Sequence, residues 1–217
     1  YPHQDELSTV NAHALALKGP DLWIGTYSQG VYVLNTSTGQ IRHYGTEKLK
    51  DPSSYAICHD SKGRTWVATM EGFYLYSPEN DSFQHIGATD ALAIDIDEDK
   101  SYRLWLSTQG AGLWCYAPDN KVFKQYFHQD VDLHSLLSNQ VNCTTVDAGG
   151  RLWIGTLEGL CYYDIAKKQF NRVELSVETG NVMSIIEDQG ALWLSTERGI
   201  VKYEPQNLNP KSTASDL

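Results

Sequence analysis

Residues 151–163 read RLWIGTLEGLCYY: an apolar triplet, Leu152-Trp153-Ile154, then Gly155-Thr156, a short turn, a second glycine at 159 and another apolar run. The chain writes this phrase five times. DLWIGTYSQGVYVL starts at Asp21, RTWVATMEGFYLY at Arg64, RLWLSTQGAGLWCY at Arg103 and ALWLSTERGIVKY at Ala191. The repeated tryptophans, Trp23, Trp66, Trp105, Trp153 and Trp193, stand 43, 39, 48 and 40 residues apart. A period of about 40–45 residues, dense in β-formers, is that of a propeller blade and longer than most helical repeats. The differences in spacing fall in polar stretches such as FHQDVDLHSLLSN (127–139), where loops absorb length while strands keep theirs.

Each period holds four strand candidates. In the fourth they are VNCTTVD, RLWIGT, LCYYD and FNRVEL, separated by AGG, LEG and IAKKQ. The same grammar fits SYAICHD, RTWVAT, FYLYS and SFQHI in the second period, and LAIDID, RLWLST, LWCYA and VFKQYF in the third. No segment carries a 3.6-residue apolar period, so the chain reads as all-β. Within RLWIGT, Leu152 and Ile154 face one side of the sheet while Trp153 and Gly155 face the other. Both sides are apolar, and a sheet with two apolar faces needs a neighbouring sheet on each. Radial packing around an axis satisfies that. The expected fold is therefore an all-β propeller of about five four-stranded antiparallel blades, either complete or part of a larger ring of the seven-bladed type. It forms a single domain over residues 1–217, with repeats at 8–45, 52–87, 88–127, 136–175 and 180–208. The residue after Ile, Val or Leu is always small (Gly25, Ala68, Ser107, Gly155, Ser195), which predicts a ring from the adjacent blade there. The second glycine (Gly30, Gly72, Gly112, Gly159, Gly199) is expected to supply a positive φ before the third strand.

Composition narrows the function. The formal net charge of the 217 residues is −10 and the basic residues are scattered singly, which disfavours nucleic acid and acidic membrane surfaces as partners. No apolar run approaches the roughly 18 residues of a membrane span. The start, YPHQDELSTV, has neither the basic nor the apolar region of a signal peptide, and without an initial Met it reads as a processed or excised piece. Cys58, Cys115, Cys143 and Cys161 lie inside strand-like segments and lack C-x-x-C spacing, so they read as buried apolar residues rather than as a disulfide or metal set.

The pattern of alternating strand, Asp, Gly-containing turn, L-W-I-G-T, turn, G-L and Tyr resembles the two-component regulator propeller repeat. VNCTTVDAGGRLWIGTLEGLCYYD and VMSIIEDQGALWLSTERGIVKYEP carry it best, and the likeness covers roughly residues 8–205. The second repeat departs with Thr65 for Leu and Ala68 for Gly, and the third has an extra Gln109-Gly110. The resemblance implies a piece of the periplasmic sensor region of a hybrid two-component histidine kinase of Bacteroidetes type. In such proteins propellers precede a small β-sandwich, a membrane span and kinase modules, and many sense oligosaccharides. It further implies an oligosaccharide ligand, other domains of the parent receptor as partners, and a homodimer, with no catalysis by this segment.

Ligands are expected at the channel mouth, on loops joining strands two and three and on those joining one blade to the next. The candidates are Tyr27, Gln29, Glu71, Gln109, Glu158 and Arg198. No cofactor is expected. Asp95, Asp97 and Asp99 imitate the start of an EF-hand loop, but Lys100 stands where that loop needs Gly, and Leu106 where it needs Glu. Asp97 is instead expected to end a first strand as Asp60, Asp147 and Asp188 do. No catalytic motif is visible. A carboxylate pair such as Glu71 and Glu158 leaves a carbohydrate-active enzyme as an alternative, and a protein-interaction scaffold is a third.

Overall fold

A computed structural model of the chain describes residues 7–87, 92–175 and 179–205. Blade 1 comprises β1 (Ala12–Lys18), β2 (Asp21–Thr26), β3 (Val31–Asn35) and β4 (Ile41–Tyr44). Blade 2 comprises β5 (Ser54–His59), β6 (Thr65–Thr69), β7 (Gly72–Ser77) and β8 (Ser82–Gly87), and blade 3 β9 (Ala93–Glu98), β10 (Leu104–Thr108), β11 (Leu113–Ala117) and β12 (Val122–Tyr126). Blade 4 comprises β13 (Val141–Val146), β14 (Leu152–Thr156), β15 (Gly159–Asp164) and β16 (Gln169–Arg172), and blade 5 β17 (Val182–Asp188), β18 (Ala191–Thr196) and β19 (Gly199–Tyr203). Every blade is an antiparallel meander in sequence order; the first four have four strands and the fifth has three among the described residues.

The blades stand around an axis with their first strands innermost, β1 beside β5, β5 beside β9, β9 beside β13 and β13 beside β17. The core is divided among four seams. Trp23, Val31 and Val33 of blade 1 meet Val67, Tyr74 and Tyr76 of blade 2. Trp66, Ala68 and Phe73 meet Ile96, Leu104 and Leu106 of blade 3. Trp105 and Leu113 meet Leu152, Ile154 and Tyr163 of blade 4. Trp153 and Leu160 meet Ile185, Leu192 and Leu194 of blade 5. Leu152 and Ile154 thus serve one seam and Trp153 the next, as the alternation within RLWIGT requires. Each fully buried large apolar side chain contributes about 1.5–3 kcal/mol, so stability lies mainly between blades rather than within them. Between blade 5 and blade 1, the described residues show no packing comparable to that of the four seams.

Three expectations need correction. At Gly25 and Gly155 the small residue after Ile does not receive a ring. A Cβ at Gly155 would lie 2.9 Å from Val182 Cγ1 and 3.0 Å from Val182 O, and one at Gly25 2.8 Å from Ser54 O. What approaches is the innermost strand of the next blade, whose backbone crosses close to the axis. Second, Asp97 is not the turn aspartate of blade 3. It lies within β9, paired with Trp105, and the turn residue matching Asp60 and Asp147 is Asp99. Asp188 does end β17, in register with Ala191, but its turn is one residue shorter and Ala191 stands where blades 2, 3 and 4 have the arginine. Third, FNRVEL contributes only as far as Arg172, after which the Val173 N–H turns back to Leu160 O at 3.1 Å.

Blades 2, 3 and 4 share a polar clasp under the tryptophan. Asp99 Oδ2 accepts from Trp105 Nε1 at 2.8 Å and Arg103 Nε at 2.7 Å, while Oδ1 accepts the N–H groups of Ser101 and Arg103 at 2.8 and 3.1 Å. Asp60 and Asp147 do the same for Trp66 at 2.7 Å and Trp153 at 2.9 Å. Each arginine lies over its tryptophan, 5.1–5.4 Å from the ring. One carboxylate therefore closes the turn, pairs a cation and satisfies a buried indole N–H.

Candidate ligand-binding rim

The threonine that ends each LWIGT-type strand builds the loop after it. Its hydroxyl donates to the glycine carbonyl that opens the third strand: Thr26 to Gly30 O at 2.8 Å, Thr69 to Gly72 O at 3.3 Å, Thr108 to Gly112 O at 2.6 Å, Thr156 to Gly159 O at 3.0 Å and Thr196 to Gly199 O at 2.9 Å. In four loops the hydroxyl also accepts a backbone N–H, from Gln29 at 2.9 Å and from Glu71, Glu158 and Arg198 at 3.2 Å each. All five glycines have positive φ, and at Gly30 (φ 80°) and Gly112 (φ 73°) a Cβ would also run into the backbone of Tyr44 and Tyr126. These loops are pinned to the entry of their own first strand: Tyr27 N–H donates to Asn11 O at 3.0 Å, Gln109 N–H to Leu92 O at 3.0 Å, Leu157 N–H to Gln140 O at 3.0 Å and Glu197 N–H to Asn181 O at 3.4 Å. The six residues read from the sequence therefore lie on one rim, spread over all five blades.

A feature of that rim was not legible in the sequence. Every innermost strand carries a β-bulge at its rim end, leaving His13, Tyr55, Ile94, Asn142 and Met183 unpaired in their ladders. Bulges re-aim side chains and gather at the ends of barrels and near binding sites. At the seam of blades 1 and 2 the bulged residues join Tyr27 in an aromatic cluster. Ring centroids lie 5.2 Å apart for His13–Tyr55, 5.8 Å for His13–Tyr27 and 6.3 Å for Tyr27–Tyr55. Tyr27 remains 52% exposed. Burial, with Tyr27 and Asp51 nearby, pushes the Tyr55 phenol above its ordinary pKa. Asp51 is fixed beneath by the N–H groups of Met70 at 2.8 Å and Ser53 at 3.0 Å. The only sequence signal for the cluster was the pair of aromatic residues one position into a first strand, and bulges leave no mark in apolar periodicity.

The other predicted residues are dispersed. Glu71 is held by Lys50 at 2.7 Å, Gln109 bridges to Gln140, and the Gln29 carbonyl meets His43 Nε2 at 2.6 Å. Glu71 and Glu158 belong to blades 2 and 4 with blade 3 between them, so the structure does not assemble them at one seam. The cysteines are all free thiols, and desolvation pushes Cys58 and Cys161 up to about 12 and Cys115 to about 11. They stay protonated at neutral pH and are poor nucleophiles. Among the described residues no three His, Cys, Asp or Glu side chains are placed to hold a metal ion. At the opposite end a cleft of about 680 Å³ between blades 1 and 2 contains Lys18, Arg42, Lys62 and Arg64, but Arg42, Lys62 and Arg64 are paired with Asp21, Asp119 and Asp60. The rim is thus the place where flat rings and open hydrogen-bonding edges coincide, a surface suited to a polar ligand with an apolar face.

Radial four-stranded blades clasped by a repeated tryptophan define a β-propeller of repeat type. The family model described as two component regulator propeller matches residues 48–71 and 135–158. Histidine kinase P4 from Formosa agariphila is 32% identical over 224 residues, a match spanning 90% of this chain and 16% of that protein. Among solved structures, the extracellular domains described as those of the hybrid two component systems BT4673 and BT3049 from B. thetaiotaomicron superpose with TM-scores of 0.76 and 0.75 at 23% and 21% identity. The matches cover 89% and 93% of this chain but 27% and 29% of those chains. Virginiamycin B lyase from Staphylococcus aureus shares the fold at TM-score 0.70 and 12% identity, over 92% of this chain and 72% of the lyase. The chain carries two-component regulator propeller repeats within a β-propeller fold. It spans about a sixth of the curated relative it matches.

Proposed function

We propose that this propeller is an extracytoplasmic sensor element of a two-component regulator, non-catalytic itself, that binds an oligosaccharide at its rim and passes the resulting movement to other domains of the parent receptor. The observation that supports it most is the His13–Tyr27–Tyr55 cluster, which straddles the seam between two blades. A ligand stacked there touches both blades at once, so it favours one relative setting of the two over another, and differential affinity of that kind is what shifts a conformational equilibrium. A periplasmic setting fits the family and the free, buried thiols need no oxidising partner in either compartment. Dimerisation of the parent would convert a blade movement into a change of output.

The test is a thermal-shift screen of the chain against oligosaccharides of differing linkage and charge. One class should raise the melting temperature, by about 2.7 kcal/mol of added stability at a hundredfold excess over its Kd. Tyr27→Ala and Tyr55→Ala should each remove the response without lowering the melting temperature of the free protein much. Release of a shortened or unsaturated product would replace this reading with a carbohydrate-active enzyme. Retention of a protein partner with no response to any sugar would replace it with a scaffold.

A further inference from the structure

Blade 1 departs from the clasp of blades 2, 3 and 4. In those blades a turn aspartate accepts from the tryptophan Nε1 and pairs with an arginine. The register of the innermost strands shows what blade 1 has instead. In blade 2 His59 pairs with Thr65, and one step further along Asp60 faces Arg64 across the turn. In blade 1 Leu17 pairs with Leu22, and the next step brings Lys18 opposite Asp21. The two charges are exchanged, and the turn Gly19-Pro20 is one residue shorter than Ser61-Lys62-Gly63. Asp21 does not supply the missing acceptor, because its oxygens take Asn35 Nδ2 at 2.8 Å and Arg42 Nη2 at 2.7 Å. Lys18 reaches neutral oxygens of blade 2, Gly63 O and Thr65 Oγ1. Among the described residues, then, the Trp23 indole N–H meets no acceptor and Lys18 no carboxylate. Both residues line the cleft of about 680 Å³ between blades 1 and 2.

We propose that this cleft binds a small organic molecule bearing one carboxylate, which takes beside Trp23 and Lys18 the place that the turn aspartate holds in blades 2, 3 and 4. The inference goes beyond the sensor reading, concerns the opposite end of the molecule from the rim, and stands without it. Three features select the ligand. A carboxylate is the acceptor that Trp66, Trp105 and Trp153 already use, and a bond to a charged oxygen is stronger than one to a neutral oxygen. Asp21 and Glu79 also line the cleft, so Lys18 and Arg42 match one negative charge while a second is repelled. The volume exceeds what a carboxylate alone fills and falls within the range of small-molecule sites, about 300–1,000 Å³. Trp23, Leu75 and Pro78 offer apolar surface to the body of the ligand. Arg42, whose side chain is 48% exposed, keeps N–H groups beyond those it gives to Asp21 and Tyr44.

The experiment follows the indole N–H signals of the isotope-labelled chain by NMR, with the Trp23 signal assigned from its loss in Trp23→Phe. Sodium benzoate and sodium glucuronate, an aromatic and a sugar carboxylate, are the probes, and benzamide is the neutral control. At least one carboxylate should move the Trp23 signal downfield saturably, while those of Trp66, Trp105 and Trp153 stay in place. Benzamide should leave it unmoved. Lys18→Met should weaken binding about tenfold, the loss of one charge-assisted bond, with the other indole signals unchanged as the check that the variant is folded. The proposal is overturned by the absence of a saturable shift with either carboxylate, by equal binding of benzamide or inorganic phosphate, or by unchanged affinity in Lys18→Met. A tetra-aspartate peptide that moves the same signal at lower concentration than either probe also overturns it, and assigns the cleft to an acidic protein segment.

Discussion

At the scale of single residues, the aspartate beneath the tryptophan has most to lose. Asp99 is fully buried and satisfies an indole N–H, a guanidinium and two backbone N–H groups. Asp99→Ala leaves all of them without their acceptor, and breaking a buried pair of this sort costs about 3–5 kcal/mol. Asp188→Ala, at an exposed position of the turn without a clasp, should stay within about 0.5 kcal/mol. Urea denaturation of the two variants decides the matter, and equal losses would remove the clasp from any account of stability. Gly155→Ala tests the close approach of the next blade. The new methyl would press on Cys143 Sγ at 2.6 Å and on Val182, an overpacking worth about 1–3 kcal/mol, visible as a lower denaturation midpoint at unchanged slope.

At the scale of the element, β9 is the odd innermost strand. The register positions that hold Ala14 and Ala16 in β1, Ala56 and Cys58 in β5, and Cys143 and Thr145 in β13 hold Asp95 and Asp97 here. Both carboxylates face β13, where the Thr144 N–H donates to Asp95 Oδ2 at 2.8 Å and its hydroxyl to Asp97 Oδ2 at 3.0 Å. Desolvation, and for Asp97 the neighbouring charge of Asp95, raise both pKa values, that of Asp97 to about 7. A carboxyl whose folded pKa lies above its unfolded value holds its proton more tightly when folded. Its contribution is therefore fully present below about pH 4 and is lost as the pH rises through about 7. Melts of the native chain should show falling stability from pH 4.5 to pH 8, and Asp97→Asn should flatten that slope while leaving the acid end little changed. An identical slope in the variant would show that other groups set it.

At the scale of the whole molecule, each blade touches only its neighbours, so stability is a sum of blades and seams, as in other repeat architectures. The end blades have one seam each and the middle three have two. Hydrogen exchange should follow that order, with amides of β1 and β17–β19 exchanging before those of β6, β10 and β14. Uniform protection across the five blades would contradict a chain of independent seams. The exposed faces of blades 1 and 5 place the weakest points at the two ends of the series, away from the rim cluster, whose seam between blades 1 and 2 is fully packed.

Much of this was present in the order of the residues. Five copies of a phrase with apolar side chains on both faces of one short strand permit few arrangements, because each sheet must find cover twice. The threonine and glycine that shape each rim loop are written in the phrase itself, so the position of Tyr27, Gln29, Glu71, Gln109, Glu158 and Arg198 on one surface was legible as well. What the order of residues could not convey is whatever depends on one extra residue in a ladder or on a neighbour distant in the chain. The bulges that bring His13 and Tyr55 to Tyr27 shift a register by a single position, which leaves composition and periodicity untouched. The identity of the clasping aspartate turned on the same one- or two-residue ambiguity, between Asp97 and Asp99. Whether Trp193 is covered depends on what stands beside it in space, because a side chain's burial belongs to its surroundings and only its need for burial belongs to its sequence.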